Sequence, residues 1–123
     1  MAAKWIEALT GSLDQKKQYR QDKARIDALP EPYATGAKAM HRYLNYYGGI
    51  TDGDALVTMF GDLADLWERA ATDATPLREI VGDDPVEFTE TFAQTYMDKQ
   101  WIDKERARLT RAIDDAEWKA GHE

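Results

Sequence analysis

The 123-residue chain contains no cysteine, which removes disulfides, iron–sulfur clusters, thiolate zinc sites and thiol nucleophiles together. Any chemistry must rest on oxygen and nitrogen groups. No apolar run approaches the roughly 18 residues that a membrane span requires. The opening stretch MAAKWIEALTGS also lacks the continuous apolar block of a signal peptide. A cytoplasmic location with no membrane partner is therefore the expectation. No Gly/Ser-rich linker, low-complexity tract or internal repeat marks a boundary. A chain of this length supplies one hydrophobic core and not two, so residues 1–123 are read as a single domain.

The patterns of common active sites are missing as well. A helical di-iron site needs Glu three residues before His, but Lys38 precedes His41 and Lys119 precedes His122. Two histidines four apart around a Glu, which a helical zinc protease site needs, do not occur, nor does either common glycine-rich phosphate loop. The turn Asp52-Gly53-Asp54 superficially resembles a calcium loop, yet Leu56 stands where a further oxygen ligand belongs; helix capping explains these acids. A serine or threonine nucleophile would need a base. His122 is the penultimate residue, and His41, between Met40 and Arg42, reads as a surface or boundary residue. No metal, cofactor or catalytic residue is assigned, and the expectation is a non-enzymatic protein. An enzyme with an unrecognised carboxylate site is the weakest alternative.

What the chain has is apolar periodicity and aromatic side chains: 43% of residues are hydrophobic, with four Trp, six Tyr and three Phe. Ser12 with Gln15 forms a capping box that opens a helix running to Leu29, where Pro30 and Pro32 stop it; a short helix holding Trp5, Ile6 and Leu9 precedes it. Pro32 sits at a first-turn position, and Tyr33, Ala37, Met40, Leu44 and Tyr47 recur on one helical face up to Gly48-Gly49. A third helix starts near Thr51 or Asp52 and carries Leu56, Met59, Phe60, Leu63, Leu66, Trp67 and Ala70, a stripe broad enough for the central packing helix. Thr75-Pro76 opens a short helical turn that Gly82 closes. Asp84-Pro85-Val86-Glu87 combines an N-cap acid, Pro at the first helical position and Glu at the third. The helix it starts continues through Phe88, Phe92, Tyr96, Ile102, Leu109 and Ile113. No stretch alternates as a strand does. The expected fold is all-α: a compact bundle of about four main helices with a long C-terminal helix. Part of that helix is expected outside the bundle, offering its apolar stripe to a second subunit, so a homodimer is the expected assembly.

The net charge of −7 is unevenly spread. Residues 51–98 carry twelve acids against Arg69 and Arg78, a net −10, and the remainder nets +3. Two basic strips are candidates for phosphate contact: Lys16, Lys17, Arg20, Lys23 and Arg25, and Lys104, Arg106, Arg108 and Arg111. Acids interrupt both strips, and the negative overall charge repels phosphate at long range. Nucleic acid is thus the alternative and not the leading partner.

The stretch MHRYLNYYGGITDGD, residues 40–54, concentrates tyrosines, a histidine and an asparagine ahead of two glycines. It reads chiefly as a helix–turn–helix corner, with Gly48 at the left-handed position that ends a helix and Tyr46, His41 and Asn45 left over for binding. Tyr43, Tyr46, Tyr47, Trp67, Tyr96 and Trp101 are the candidate ligand-binding residues, set against ordinary core and interface packing.

Several short motifs in order resemble a family of small bacterial proteins, domain of unknown function 1048. They are Leu29-Pro30 with Tyr33, Asp52-Gly53, then Gly82, Asp84 and Phe88, and finally Trp101, Lys104 and Leu109, the last standing one residue out of the family step. The likeness spans about residues 14–113. It implies a compact all-helical fold, in a family some of whose members are described as DNA-binding and ferritin-like and are encoded beside small PadR-type transcription regulators. The ferritin part finds no iron-ligand pattern here. The resemblance implies a role alongside a regulator, as its target gene or protein partner, and carries no catalytic residues. The leading reading is a protein-interaction or small-ligand-binding module.

Overall fold

A computed structural model describes residues 13–50 and 52–122. Among them there are five helices and no strand: α1 (Leu13–Asp27), α2 (Tyr33–Tyr47), α3 (Gly53–Thr72), α4 (Leu77–Val81) and α5 (Pro85–His122). The all-α expectation holds, with four main helices and one short one. The proposed helix around Trp5, Ile6 and Leu9, and the cap at Ser12, lie outside the described residues.

The predicted starts and stops have visible causes. Asp52 accepts a hydrogen bond from the Asp54 backbone N–H at 2.9 Å and caps α3. Asp84 accepts from the N–H groups of Val86 and Glu87, both at 3.1 Å, and caps α5. Each carboxylate satisfies N–H groups that the first turn leaves without an intrahelical partner. Gly48 and Gly82 close their helices at φ 73° and 74° with ψ near −162°. That is the glycine-only extended region with positive φ, not the left-handed helical well expected for Gly48. Two boundaries differ slightly: α1 ends at Asp27, two residues short of Leu29, and α2 begins one residue after Pro32.

α3 is the central element, as its broad stripe predicted, with α1 lying along it and α2 and α5 packing against it as well. Met59, Phe60, Leu63, Ala64 and Trp67 of α3 are essentially inaccessible, and Ile26, Ala37, Met40, Leu44, Ile50 and Ala93 complete the core. The α2 stripe is buried through Leu44, but Tyr47 is 37% exposed, because the helix ends there and its last turn overruns the core; its ring stacks on Tyr43 at 5.8 Å. Residues 40–54 form the anticipated corner. Buried Gln100 of α5 clasps it, its side-chain carbonyl accepting from the Asp52 N–H (2.8 Å) and its amide donating to the Gly49 carbonyl (3.2 Å).

Gln100 is also where α5 leaves the bundle. Thr89, Ala93 and Gln100 are buried, whereas of residues 101–121 only Glu105 is even partly covered. A helix of 38 residues is about 57 Å long at 1.5 Å per residue, against about 30 Å for the 20-residue α3. The last 21 residues therefore project about 30 Å beyond the bundle.

Candidate functional site

The best-formed cavity lies where α2, α3, α4 and the start of α5 converge, with a volume of about 340 Å³. Its walls are mostly apolar: Ala39 and Met40 of α2, Trp67 of α3, Leu77 and Val81 of α4, and Pro85 and Val86. The short α4 is what makes the hollow. This five-residue helix, bounded by Pro76 and Gly82, packs Leu77, Ile80 and Val81 against the core and leaves a gap beside Gly36, Ala39, Met40 and Tyr43 of α2. Gly36 lets α2 close on Trp67: a Cβ there would lie 2.6 Å from Cη2 of the indole.

Apart from the Trp67 indole, the polar groups named here at the cavity have partners in the protein. Thr89 donates to the Pro85 carbonyl at 2.8 Å, Arg78 reaches the Gly82 carbonyl at 3.3 Å, and the Tyr43 hydroxyl donates to the Glu90 carboxylate. That last bond holds the Tyr43 proton on and raises its pKa. Trp67, only 1% exposed, keeps its indole N–H without a partner. The arrangement offers an apolar surface and little directed polarity, and no nucleophile or acid–base group converges on it.

A second cluster sits between α1, α2 and α3. His41 is 5% exposed, which corrects its reading as a surface or boundary residue: α1 and α3 cover the α2 face that neighbouring Met40 and Arg42 left ambiguous. Its ring lies 4.5 Å from Phe60. The Asn45 amide nitrogen is 3.2 Å from Nδ1 and the Tyr19 hydroxyl 3.1 Å from Nε2. With the amide donating to Nδ1, the neutral imidazole carries its proton on Nε2 and donates it to the Tyr19 oxygen. Burial, and next the positive charge of Lys23, push the His41 pKa down to about 4, while burial pushes that of Tyr19 up to about 12. Both groups are locked neutral, so the cluster holds helices together and carries no exchangeable proton at neutral pH.

The sign of the resulting pH dependence follows. The unfolded His titrates near 6.5 and the folded one near 4, so the unfolded chain binds the extra proton first. Stability is full above about pH 6.5 and is lost as the pH falls toward 4. Chemical denaturation at about pH 7 and pH 5 is expected to differ by about 2 kcal/mol, and His41→Gln should remove most of that difference; an unchanged slope would sink this account.

On the adjoining face, Asp22 of α1 is 1% exposed, and Gly61 makes room for it, a Cβ there falling 3.2 Å from Oδ2. Oδ1 accepts from Gln18 (3.1 Å) and Arg25 (2.9 Å), whereas Oδ2 has no partner. Arg25 also bridges to Asp65 and Glu68 of α3; the Glu68 hydrogen bond, then Asp65, raise the pKa of an already permanent cation further.

The six aromatic candidates do not form one site. Tyr43 and Trp67 share the cavity. Tyr46 is 78% exposed beneath the Arg42 guanidinium, Tyr47 lies at the end of α2, and Tyr96 packs on Phe92 and donates to the Asp62 carboxylate. Trp101 is 63% exposed at the base of the projecting helix. The aliphatic walls from α4 and Val86 were missed, because a void is a property of how helices meet; the Pro76 and Gly82 breaks around a five-residue helix were the available signal. Of the basic candidates, Lys17 and Arg20 are exposed and Lys16 half-buried on α1, and Lys23 pairs with Asp27 at 2.6 Å. Lys104, Arg108 and Arg111 are exposed on the projecting part of α5, where Arg108 pairs with Glu105 and Arg106 with Asp103.

Among the described residues, no three His, Cys, Asp or Glu side chains come together as a metal site, and no helix is long and apolar enough to cross a membrane. No curated protein matches the chain. The family model of the proteins of unknown function DUF1048 matches residues 10–114, and on that match, which spans the whole bundle and the base of its projecting helix, the chain belongs to the DUF1048 family.

Proposed function

We propose that the protein is a small-ligand-binding module that takes an apolar molecule in the cavity between α2, α4 and α5. The observation that carries this reading is the 340 Å³ hollow with its apolar walls, within the roughly 300–1,000 Å³ range of small-molecule sites. With the polar side chains at its rim engaged by the protein, recognition rests on shape and burial. An uncharged aromatic or branched aliphatic ligand fits better than a charged one, because the walls are mainly apolar and the cation among them, Arg78, is turned to the Gly82 and Asp83 carbonyls. A transcription regulator as protein partner rests on the family resemblance alone.

Titration with the uncharged naphthalene reporter N-phenyl-1-naphthylamine tests the site. Saturable one-to-one binding is expected, weakened at least about tenfold by Ala39→Trp, which fills the groove from exposed Ala39. It should be unchanged by Trp101→Ser on the projecting helix. Equal binding by the wild type and the Ala39→Trp variant would refute it.

A further inference from the structure

We infer that the projecting half of α5 is a self-association surface that pairs antiparallel with the same segment of a second copy. Ile102, Leu109 and Ile113 are 39%, 64% and 53% exposed, and Ala116 and Ala120 are exposed too. Ile102, Leu109, Ile113, Ala116 and Ala120 follow one another by seven, four, three and four residues, the spacing of a single coiled-coil seam. Helical stability in proteins comes mainly from packing an amphipathic face. Among the described residues every position of this seam is exposed, so a second helix is the natural source of that packing.

Charge selects the occupant and its direction. Residues 101–111 carry Lys104, Arg106, Arg108 and Arg111 against Asp103 and Glu105, a net +2; residues 112–122 carry Asp114, Asp115 and Glu117 against Lys119, a net −2. The two halves of one segment are thus complementary to each other. An antiparallel pair sets the basic half of each copy along the acidic half of the other, whereas a parallel pair sets like against like throughout. The antiparallel register also makes sense of side-chain size. With Leu109 of one copy beside Ile113 of the other, Ile102 meets the small Ala120 and Arg106 meets Ala116, so the ends close without a clash. The contact is isologous and closes as a two-fold dimer.

The absence of native cysteine allows a clean test of both association and direction. Light scattering at about 50 μM is expected to give twice the chain mass, falling to the monomer mass in Leu109→Glu/Ile113→Glu. That variant should keep the melting transition of the bundle, because both positions lie beyond it. Under mild oxidation, an equimolar mixture of Arg106→Cys and Ala116→Cys chains is expected to cross-link, while neither variant does so alone. Like positions lie about 15 Å apart in an antiparallel pair. A monomeric wild type, a dimer that survives Leu109→Glu/Ile113→Glu, or cross-linking of either single variant by itself would each overturn the inference.

Discussion

Replacing Trp67 by alanine is expected to cost about 3–5 kcal/mol, the range for emptying a large aromatic from a packed interior. Trp67 is 1% exposed and is the largest fully buried side chain. Its ring lies against Gly36 of α2. A domain of this size has about 5–15 kcal/mol in total, so the variant should lose at least about a fifth of its stability, on the order of 10–20 °C in Tm. Its N–H is unsatisfied, a burden of about 1–3 kcal/mol that the substitution also removes. Trp67→Phe, which sheds the N–H but keeps most of the ring, should therefore cost under about 2 kcal/mol. Trp101→Ala, at a 63% exposed site, should leave the bundle transition within about 0.5 kcal/mol. Thermal and urea unfolding of the three variants gives the comparison; equal losses at positions 67 and 101 would contradict the packing described.

Arg25→Ala is expected to cost about 3 kcal/mol, well beyond an ordinary surface ion pair, because of what it leaves behind. Asp22, 1% exposed, would lose its cation with one oxygen already lacking a partner, and an uncompensated interior charge is what makes broken buried pairs costly. Asp65 and Glu68 would lose their cation together. The side chain of Arg25 is 32% exposed, which places the estimate at the low end of the usual range of about 3–5 kcal/mol. By contrast, Lys23→Ala breaks an exposed pair with Asp27 and should change stability by no more than about 0.5 kcal/mol. The double variant Arg25→Met/Asp22→Asn, which removes both charges, should recover most of the Arg25→Ala loss. If Arg25→Ala is as mild as Lys23→Ala, Asp22 has found water or another partner and the description of this cluster is wrong.

The local half of the molecule was legible because its causes are local. Capping by Asp52 and Asp84 depends on a carboxylate and the next two or three N–H groups. The break at Gly48 depends on the backbone of one residue, and the α3 stripe on spacing along one helix. The exposed end of α5 followed from length: a helix twice as long as its neighbours has nothing to pack against. Failures came where a residue's surroundings belong to other helices. His41 has the same neighbours in sequence whether α1 covers it or not, so its burial against Tyr19 and Phe60 could not be read from Met40 and Arg42. Periodicity had placed Trp67 on the packing stripe and Tyr46 off it, as the structure has them, whereas the contacts of Tyr96 with Phe92 and Asp62 and of Tyr43 with Glu90 depend on how α5 meets its neighbours.

The amino-acid sequence by itself determined the all-helical class, the order of the described helices and most of their limits, the central role of α3, and an α5 that outruns the bundle, since periodicity, caps and breakers act within a few residues. Only the tertiary structure decided that Asp22 and His41 are interior groups, that Tyr43 and Trp67 alone among the six aromatics share a cavity, and that α4 roofs it. Those outcomes depend on which faces meet across long sequence separations, and a side chain's burial, charge state and partners are set there by its neighbours in space.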